Sequence, residues 1–275
     1  MDKNSQSSPY RIMLVGCGKM GSAMLKAWLT ANIVSEALVI DPCGLPEIFK
    51  NDPRVQHHED ASQGVTNQPD AVILATKPQT LRQAAEDISG SIKQDCLILS
   101  IAAGQSLETL QNLFSKGQPI VRTMPNTPAA IGKGMSVAIA NPQVRTAQEE
   151  IVSHLLGATG QLEWIKNEDL MDAVTALSGS GPAYIFMLIE VLAKAGEKLD
   201  LPKDIAMKLA RQTIIGSAAL AEVEKDTPAS TLRENVTSPG GTTAAALEIL
   251  MNGELQEIYN KALAKARSRA EELNS

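Results

Sequence analysis

The stretch Ile12-Met13-Leu14-Val15-Gly16-Cys17-Gly18-Lys19-Met20-Gly21 puts a short apolar run directly before three glycines at GxGxxG spacing, and residues 19–30 continue it with a helical pattern. A strand feeding a glycine-rich turn that opens a helix is the dinucleotide-binding fingerprint in its required context. Gly16 permits the tight turn, Gly18 lets the backbone approach a pyrophosphate, and Gly21 lets the helix lie close on the strand. The amides around Cys17, Lys19 and Met20 at the helix start hold the anion. Asp41 closes the next apolar run about 20 residues on, where an acid accepts from the adenosine ribose 2′-hydroxyl, and this favours NADH over NADPH. The alternative is that Asp41-Pro42 caps the strand and opens a turn. No Arg follows at once to pair a 2′-phosphate, and Arg54 is a distant candidate.

Working outward, apolar or β-branched runs at 12–15, 38–40, 71–75, 96–100 and 120–122 alternate with helical patterns, with further strands expected at 135–140 and 161–165. That alternation predicts a parallel sheet covered by helices. After Asn167 the strand signals stop, and residues 182–198, 202–224, 243–252 and 254–273 carry apolar residues at spacings of three and four. Pro202 suits a first helical turn and Asn252-Gly253 a helix stop. The expected fold is α/β, a Rossmann-like doubly wound domain over residues 1–166 followed by an all-helical domain over 167–275. The helix containing Ile185, Met187, Leu188, Ile189, Val191 and Leu192 is apolar almost all round and must be buried, either in its own domain or against a second subunit.

Ligands of open α/β sheets bind at the carboxyl ends of the strands. Ala75-Thr76-Lys77-Pro78 and Ser100-Ile101-Ala102-Ala103-Gly104 stand at such ends and should line the cofactor groove, Lys77 as a contact or as a solvated loop lysine. Met124-Pro125-Asn126-Thr127-Pro128 crowds two prolines around an amide and a hydroxyl, a rigid loop suited to placing a nicotinamide or simply to turning the chain. In the helical region, Leu177-Ser178-Gly179-Ser180-Gly181-Pro182 and Thr237-Ser238-Pro239-Gly240-Gly241-Thr242-Thr243 read as two small-residue loops before apolar helices. Free amides at such helix starts can hold a carboxylate, and a plain Ser or Thr cap is the alternative.

Composition narrows the function classes. A net charge of −6 with acids and bases mixed along the chain leaves no basic block for nucleic acid. Cys17, Cys43 and Cys96 are odd in number and far apart, which fits a reducing cytoplasm rather than a disulfide framework. His57, His58 and His154 lack i, i+4 spacing, so neither a metal site nor a Ser-His-Asp hydrolase is expected. Residues 1–9 read as a frayed polar tail without a leader pattern. The most apolar stretch, 183–189, meets Glu190 too soon for a membrane span, which takes about 20 residues.

GCGKMG, ATKP, SIAAG, RTMPNTP, AVTALSGSGPAY and ENVTSPGGTT stand in the order and spacing of the pyrroline-5-carboxylate reductases, which the chain resembles along nearly its whole length. The resemblance implies a homodimer interlocked through the helical domain and built up into rings of dimers, up to a decamer. It also implies reduction of Δ1-pyrroline-5-carboxylate to L-proline by NADPH or NADH. Glu168, Asn235, Thr242 and Thr243 would then face the substrate. The family's Asn before the fourth strand is replaced here by Glu59-Asp60-Ala61-Ser62, which bears on the choice between the two cofactors. A protonated cyclic imine is already a good hydride acceptor, so positioning is the main task. Amides of Gly240, Gly241 and Thr242 are expected to bind the carboxylate, and the Thr243 hydroxyl the ring nitrogen. The competing readings are a β-hydroxyacid dehydrogenase, weakened because the helix from Pro182 has no Lys until Lys194, and a non-catalytic NAD(P) sensor, which would have no use for the SPGGTT loop.

Overall fold

A computed structural model describes residues 9–61 and 67–274; the expectations for residues 1–8 and for Ser62 lie outside the described residues. Contacts divide the chain into two compact units, residues 1–179 with 267–275, and residues 180–266.

The first unit is a sheet of strands β1 (Tyr10–Val15), β2 (Val34–Ile40), β3 (Val55–His58), β4 (Ala71–Leu74), β5 (Leu97–Ser100), β6 (Ile120–Met124), β7 (Gly134–Ala140) and β8 (Gly160–Trp164). Their order is β3-β2-β1-β4-β5-β6-β7-β8, so the chain reverses its direction of travel between β1 and β4. Val15 lies between Ile40 and Leu74, which brings the ends of β1, β2 and β4 level. In such sheets that reversal point is where a dinucleotide binds.

Two differences from the sequence reading have plain causes. β3 was not expected, because Val55-Gln56-His57-His58 is mostly polar; it lies at the sheet's edge, where a strand can be short and wet. β7 runs antiparallel to β6, not parallel, with Met124 opposite Val137. A parallel crossover needs a dozen or more residues. The 125–133 connection is too short for one and folds instead around a 3-10 turn, Thr127–Ile131.

Alternation along the strands sorts side chains onto two faces. Ile12, Leu14, Val39, Ile73 and Leu99 face α1 (Lys19–Thr30), which contributes Met24, Leu25 and Trp28. The Trp28 indole N–H reaches the Leu155 carbonyl at 2.7 Å, so even this large residue is fully buried without an orphaned donor. Met13, Val15, Val72, Leu74 and Ile98 face the other way, against Leu81, Ala85 and Ile88 of α2 (Pro78–Ser89) and Leu110 of α3 (Leu107–Gln111). α4 (Thr146–Gly157) precedes β8.

The remaining elements are helical: α5 (Met171–Val174), α6 (Gly181–Glu197), α7 (Lys203–Val223), α8 (Ala229–Asn235), α9 (Thr242–Leu250) and α10 (Glu254–Asn274). α8 was not expected; it is short and has Leu232 as its lone large apolar residue. Pro202 sits just before α7 rather than inside its first turn, and α9 ends at Leu250, before Asn252-Gly253. Asn252 instead accepts from the Glu254 amide and helps to start α10.

The helical run from Glu168 to Glu197 is long and apolar enough, by length and composition, to cross a membrane. The expectation that Glu190 cuts the apolar stretch short is corrected on that point. α6 leaves Ile185, Phe186, Met187, Val191 and Leu192 exposed, Phe186 at 61%, and Ala193 is its buried residue. An apolar helix uncovered within its own chain removes the intrachain-core reading and leaves the face for a second subunit.

Candidate functional site

The glycine loop is built by close backbone contacts. Gly16 has φ +93°, and a Cβ there would lie 2.7 Å from the Ala75 carbonyl oxygen. A Cβ on Gly21 would collide with the Gly16 carbonyl oxygen, so α1 can lie on the end of β1 only with glycine at that position. Around Gly18 the space is open, with nothing within 4 Å of where a Cβ would sit, and Gly18 caps α1 without a side-chain hydrogen bond. The first amides of a helix have no partner inside it. Those of Lys19, Met20 and Gly21 are therefore free to hold an anion, reinforced by the helix dipole.

Asp41 is only 9% exposed, and its carboxylate is tied to the loop: Oδ2 accepts from the Cys17 amide at 2.6 Å and Oδ1 from the Cys43 amide at 2.8 Å. The acid braces the turn, and the Cys17 amide is spent on it rather than on pyrophosphate. Burial first, and the nearby Asp41 charge second, push the Cys17 thiol up to about 11. Arg54 is corrected as a phosphate reader. Its Nη2 and Nε donate to Asp52, and Nη1 donates to the Leu29 carbonyl at 2.9 Å, at the C-terminal end of α1 and away from the glycine loop.

The Ala75 amide continues the ladder by donating to the Val15 carbonyl, and the Ile101 amide donates to the Leu74 carbonyl, which sets both loops beside the glycine turn. The Thr76 hydroxyl is buried without a partner, a group that a ligand or a water would satisfy. Lys77 is exposed just before α2, with Pro78 at the helix's first position. Ala102 is buried and Ala103 exposed, and the Ala102 amide donates to the Ser100 hydroxyl.

Both ends of the Asn126 amide are engaged within the protein. Its Nδ2 donates to the Ser178 carbonyl at 3.2 Å, and its Oδ1 accepts from the Met135 amide at 2.8 Å. Glu168 Oε1 accepts from Arg122 at 2.6 Å and from the Leu107 amide at 2.7 Å, while the carboxylate side chain stays 29% exposed. Arg122, buried on β6, is a residue that the sequence reading missed. The signal available was a lone arginine inside an apolar strand, at a position that should face the core.

Of the two small-residue loops, the first is not a loop. Thr175–Gly179 forms a π-helical turn that runs into α6, so its amides are engaged in helix rather than free. The second is a true loop. Asn235 ends α8, Gly240 has φ +70°, and α9 starts at Thr242 with no side chain capping it. The Gly241 amide donates to the Ser238 carbonyl at 3.0 Å, so it is withdrawn from the expected carboxylate set. The first-turn amides of Thr242 and Thr243 remain.

The chain matches the pyrroline-5-carboxylate reductase dimerisation model over residues 168–273 and the NADP oxidoreductase, coenzyme F420-dependent, model over 11–104. It is 36% identical to a pyrroline-5-carboxylate reductase of Pseudomonas aeruginosa across 97% of both chains. It is 31% identical to one of Pisum sativum, with 98% of this chain and 97% of that one covered. A solved reductase structure from Coxiella burnetii superposes with a TM-score of 0.89 at 34% identity, over 97% of this chain and 99% of that one. One from Plasmodium falciparum with NADP bound superposes at 0.81 and 28%, over 98% and 99%.

Proposed function

Because the chain belongs to the pyrroline-5-carboxylate reductase family, NAD(P)H-dependent oxidoreductases that reduce Δ1-pyrroline-5-carboxylate to L-proline, we propose how its own residues divide that reaction. The sheet unit takes the dinucleotide. Gly16, Gly18 and Gly21 shape the pyrophosphate cradle, and the amides of Lys19 and Met20 bind the anion. Ala75, Thr76, Lys77, Pro78, Ile101, Ala102 and Ala103 line the groove, with the unpartnered Thr76 hydroxyl offering a hydrogen bond. The bound cofactor supplies the hydride.

NADH is proposed to serve at least as well as NADPH. Between Asp41 and Ala61 the fixed cations are Lys50 and Arg54, and each is paired with an acid, Glu47 and Asp52. Asp41 places a carboxylate where a 2′-phosphate would need a cation.

The helical domain, residues 167–275, is proposed to bind the substrate and to form the dimer. Asn235, Gly240 and the amides of Thr242 and Thr243 take the carboxylate. The iminium N–H donates to the Thr243 hydroxyl oxygen, which keeps the ring nitrogen protonated while the C=N carbon accepts the hydride; the product amine keeps that proton. Supporting this reading is the loop 236–241, which ends on an uncapped helix start and turns through a glycine at positive φ. No general base is required.

Assembly of dimers into a decamer, residence in the cytoplasm, and the absence of nucleic-acid and membrane partners complete the proposal. The net charge of −6 supports the absence of a nucleic-acid partner. Replacing Thr243 by Ala tests the assignment. One hydrogen bond to a charged group is worth about 1.5–3 kcal/mol, so turnover should fall on the order of ten- to a hundredfold with dinucleotide affinity and melting unchanged. Full turnover in Thr243→Ala would make that residue a helix-start residue and nothing more.

A further inference from the structure

Arg122 is charged, 5% exposed along its side chain, and given no role by the reading above. Its Nη1 and the Leu107 amide converge on one oxygen, Glu168 Oε1, at 2.6 and 2.7 Å. Three segments meet there. β6 runs on into residues 125–128. Leu107 opens α3 directly after the loop that carries Ile101, Ala102 and Ala103. Glu168 opens the helical run that carries Ser178.

A second tie joins two of the same segments, since Asn126 of the loop after β6 donates to the Ser178 carbonyl and accepts from the Met135 amide. The cofactor loop and the loop after β6 both leave the carboxyl ends of their strands, the edge of the sheet where ligands bind. An apolar side chain on β6 could fill the same volume, but it would not fix direction. A charge-assisted hydrogen bond shared with a backbone amide does.

We propose that Arg122 is a positioning residue of the reductase. Through Glu168 it sets the cofactor loop, the 125–128 loop and the helical run in register, without touching cofactor or substrate. The inference rests on the cofactor groove assigned above. Misplacement of a reacting group by about 1 Å can cost on the order of a hundredfold in rate, so the effect belongs in turnover rather than in binding.

The test is a double-mutant cycle on the full-length enzyme with Arg122→Met, Glu168→Gln and the double variant, plus Arg122→Lys as the conservative rescue. Turnover with pyrroline-5-carboxylate is measured per site that binds NADH, alongside both Michaelis constants. Each single change should lower kcat on the order of ten- to a hundredfold with cofactor KM within about threefold. The double should be no worse than the worse single, and Arg122→Lys should recover most of the loss.

Wild-type kcat per filled site in the variants, or single effects that multiply in the double, would overturn the proposal. So would variants recovered only unfolded, because the pair would then be a stability element. A rise confined to the pyrroline-5-carboxylate KM of Glu168→Gln would place Glu168 on the substrate and break the coupling to Arg122. Failure of the wild type itself to reduce the imine would strike the function proposed above, a result distinct from all of these.

Discussion

The two compact units use their apolar residues in opposite ways. In the first, Met13, Leu14, Trp28, Ile73, Leu74 and Ile98 are sealed from solvent between helices and sheet. In the second, the described residues that α6 and α7 shield are alanines, Ala193, Ala206 and Ala210, while Ile185, Phe186, Leu209 and Ile215 stay exposed. The first unit closes its core within one chain. The second cannot, and the dimerisation model that matches residues 168–273 says what completes it. Apolar periodicity therefore reports burial in the assembly, not burial in the chain.

The largest expected effect is on the first unit. Gly21→Val would drive a branched side chain into the Gly16 carbonyl, where neither backbone can retreat. Overpacking costs about 1–3 kcal/mol in ordinary cores. Here it also breaks the cradle, so NADH binding by titration calorimetry should be lost altogether. A variant that still binds NADH within tenfold of wild type would show that α1 can be held off the strand.

The second unit should fail differently. Phe186→Glu puts a charge on the exposed face of α6, and burying an unpaired charge is strongly unfavourable. The dimer dissociation constant in sedimentation should rise by at least about a hundredfold, which is about 2.7 kcal/mol. Dinucleotide binding by the first unit should persist. An unchanged dimer would move the interface to another face.

Much of this was readable in the sequence. Lys19–Thr30 is helical over the residues expected, because the glycine spacing, the strand before it and the 3.6-residue period all agree. The unexpected elements, Val55–His58 and Ala229–Asn235, are short and mostly polar, so no period rises above the background. The direction of β7 was legible in principle, since the connection after Met124 is too short for a crossover. The site residues were harder. Spacing located Asp41 but not the Cys17 and Cys43 amides that take up its carboxylate. No local pattern links Arg122 to Glu168, 46 residues apart, because only the folded chain brings them together.

The smallest effect expected is a pH dependence of the first unit. In the folded chain the Cys17 thiol holds its proton to about 11, against an ordinary value of 9.0. Below the ordinary value both folded and unfolded chains keep that proton, and the contribution to stability is complete. Between the two values the unfolded chain loses it first, so stability falls as pH rises. Melting temperature should drop by a few degrees more between pH 9 and 11 in the wild type than in Cys17→Ser. Equal slopes would mean that the thiol is already ionised in the fold.

The most direct test of the account is the initial rate of absorbance loss at the nicotinamide band, with pyrroline-5-carboxylate and either NADH or NADPH as the reduced cofactor. The account predicts oxidation that saturates with pyrroline-5-carboxylate, yields L-proline mole for mole, and runs with NADH at a kcat/KM equal to or above that for NADPH. No imine-dependent oxidation with either cofactor would contradict the function, and a kcat/KM at least tenfold higher for NADPH would contradict the role given to Asp41 at the adenosine end.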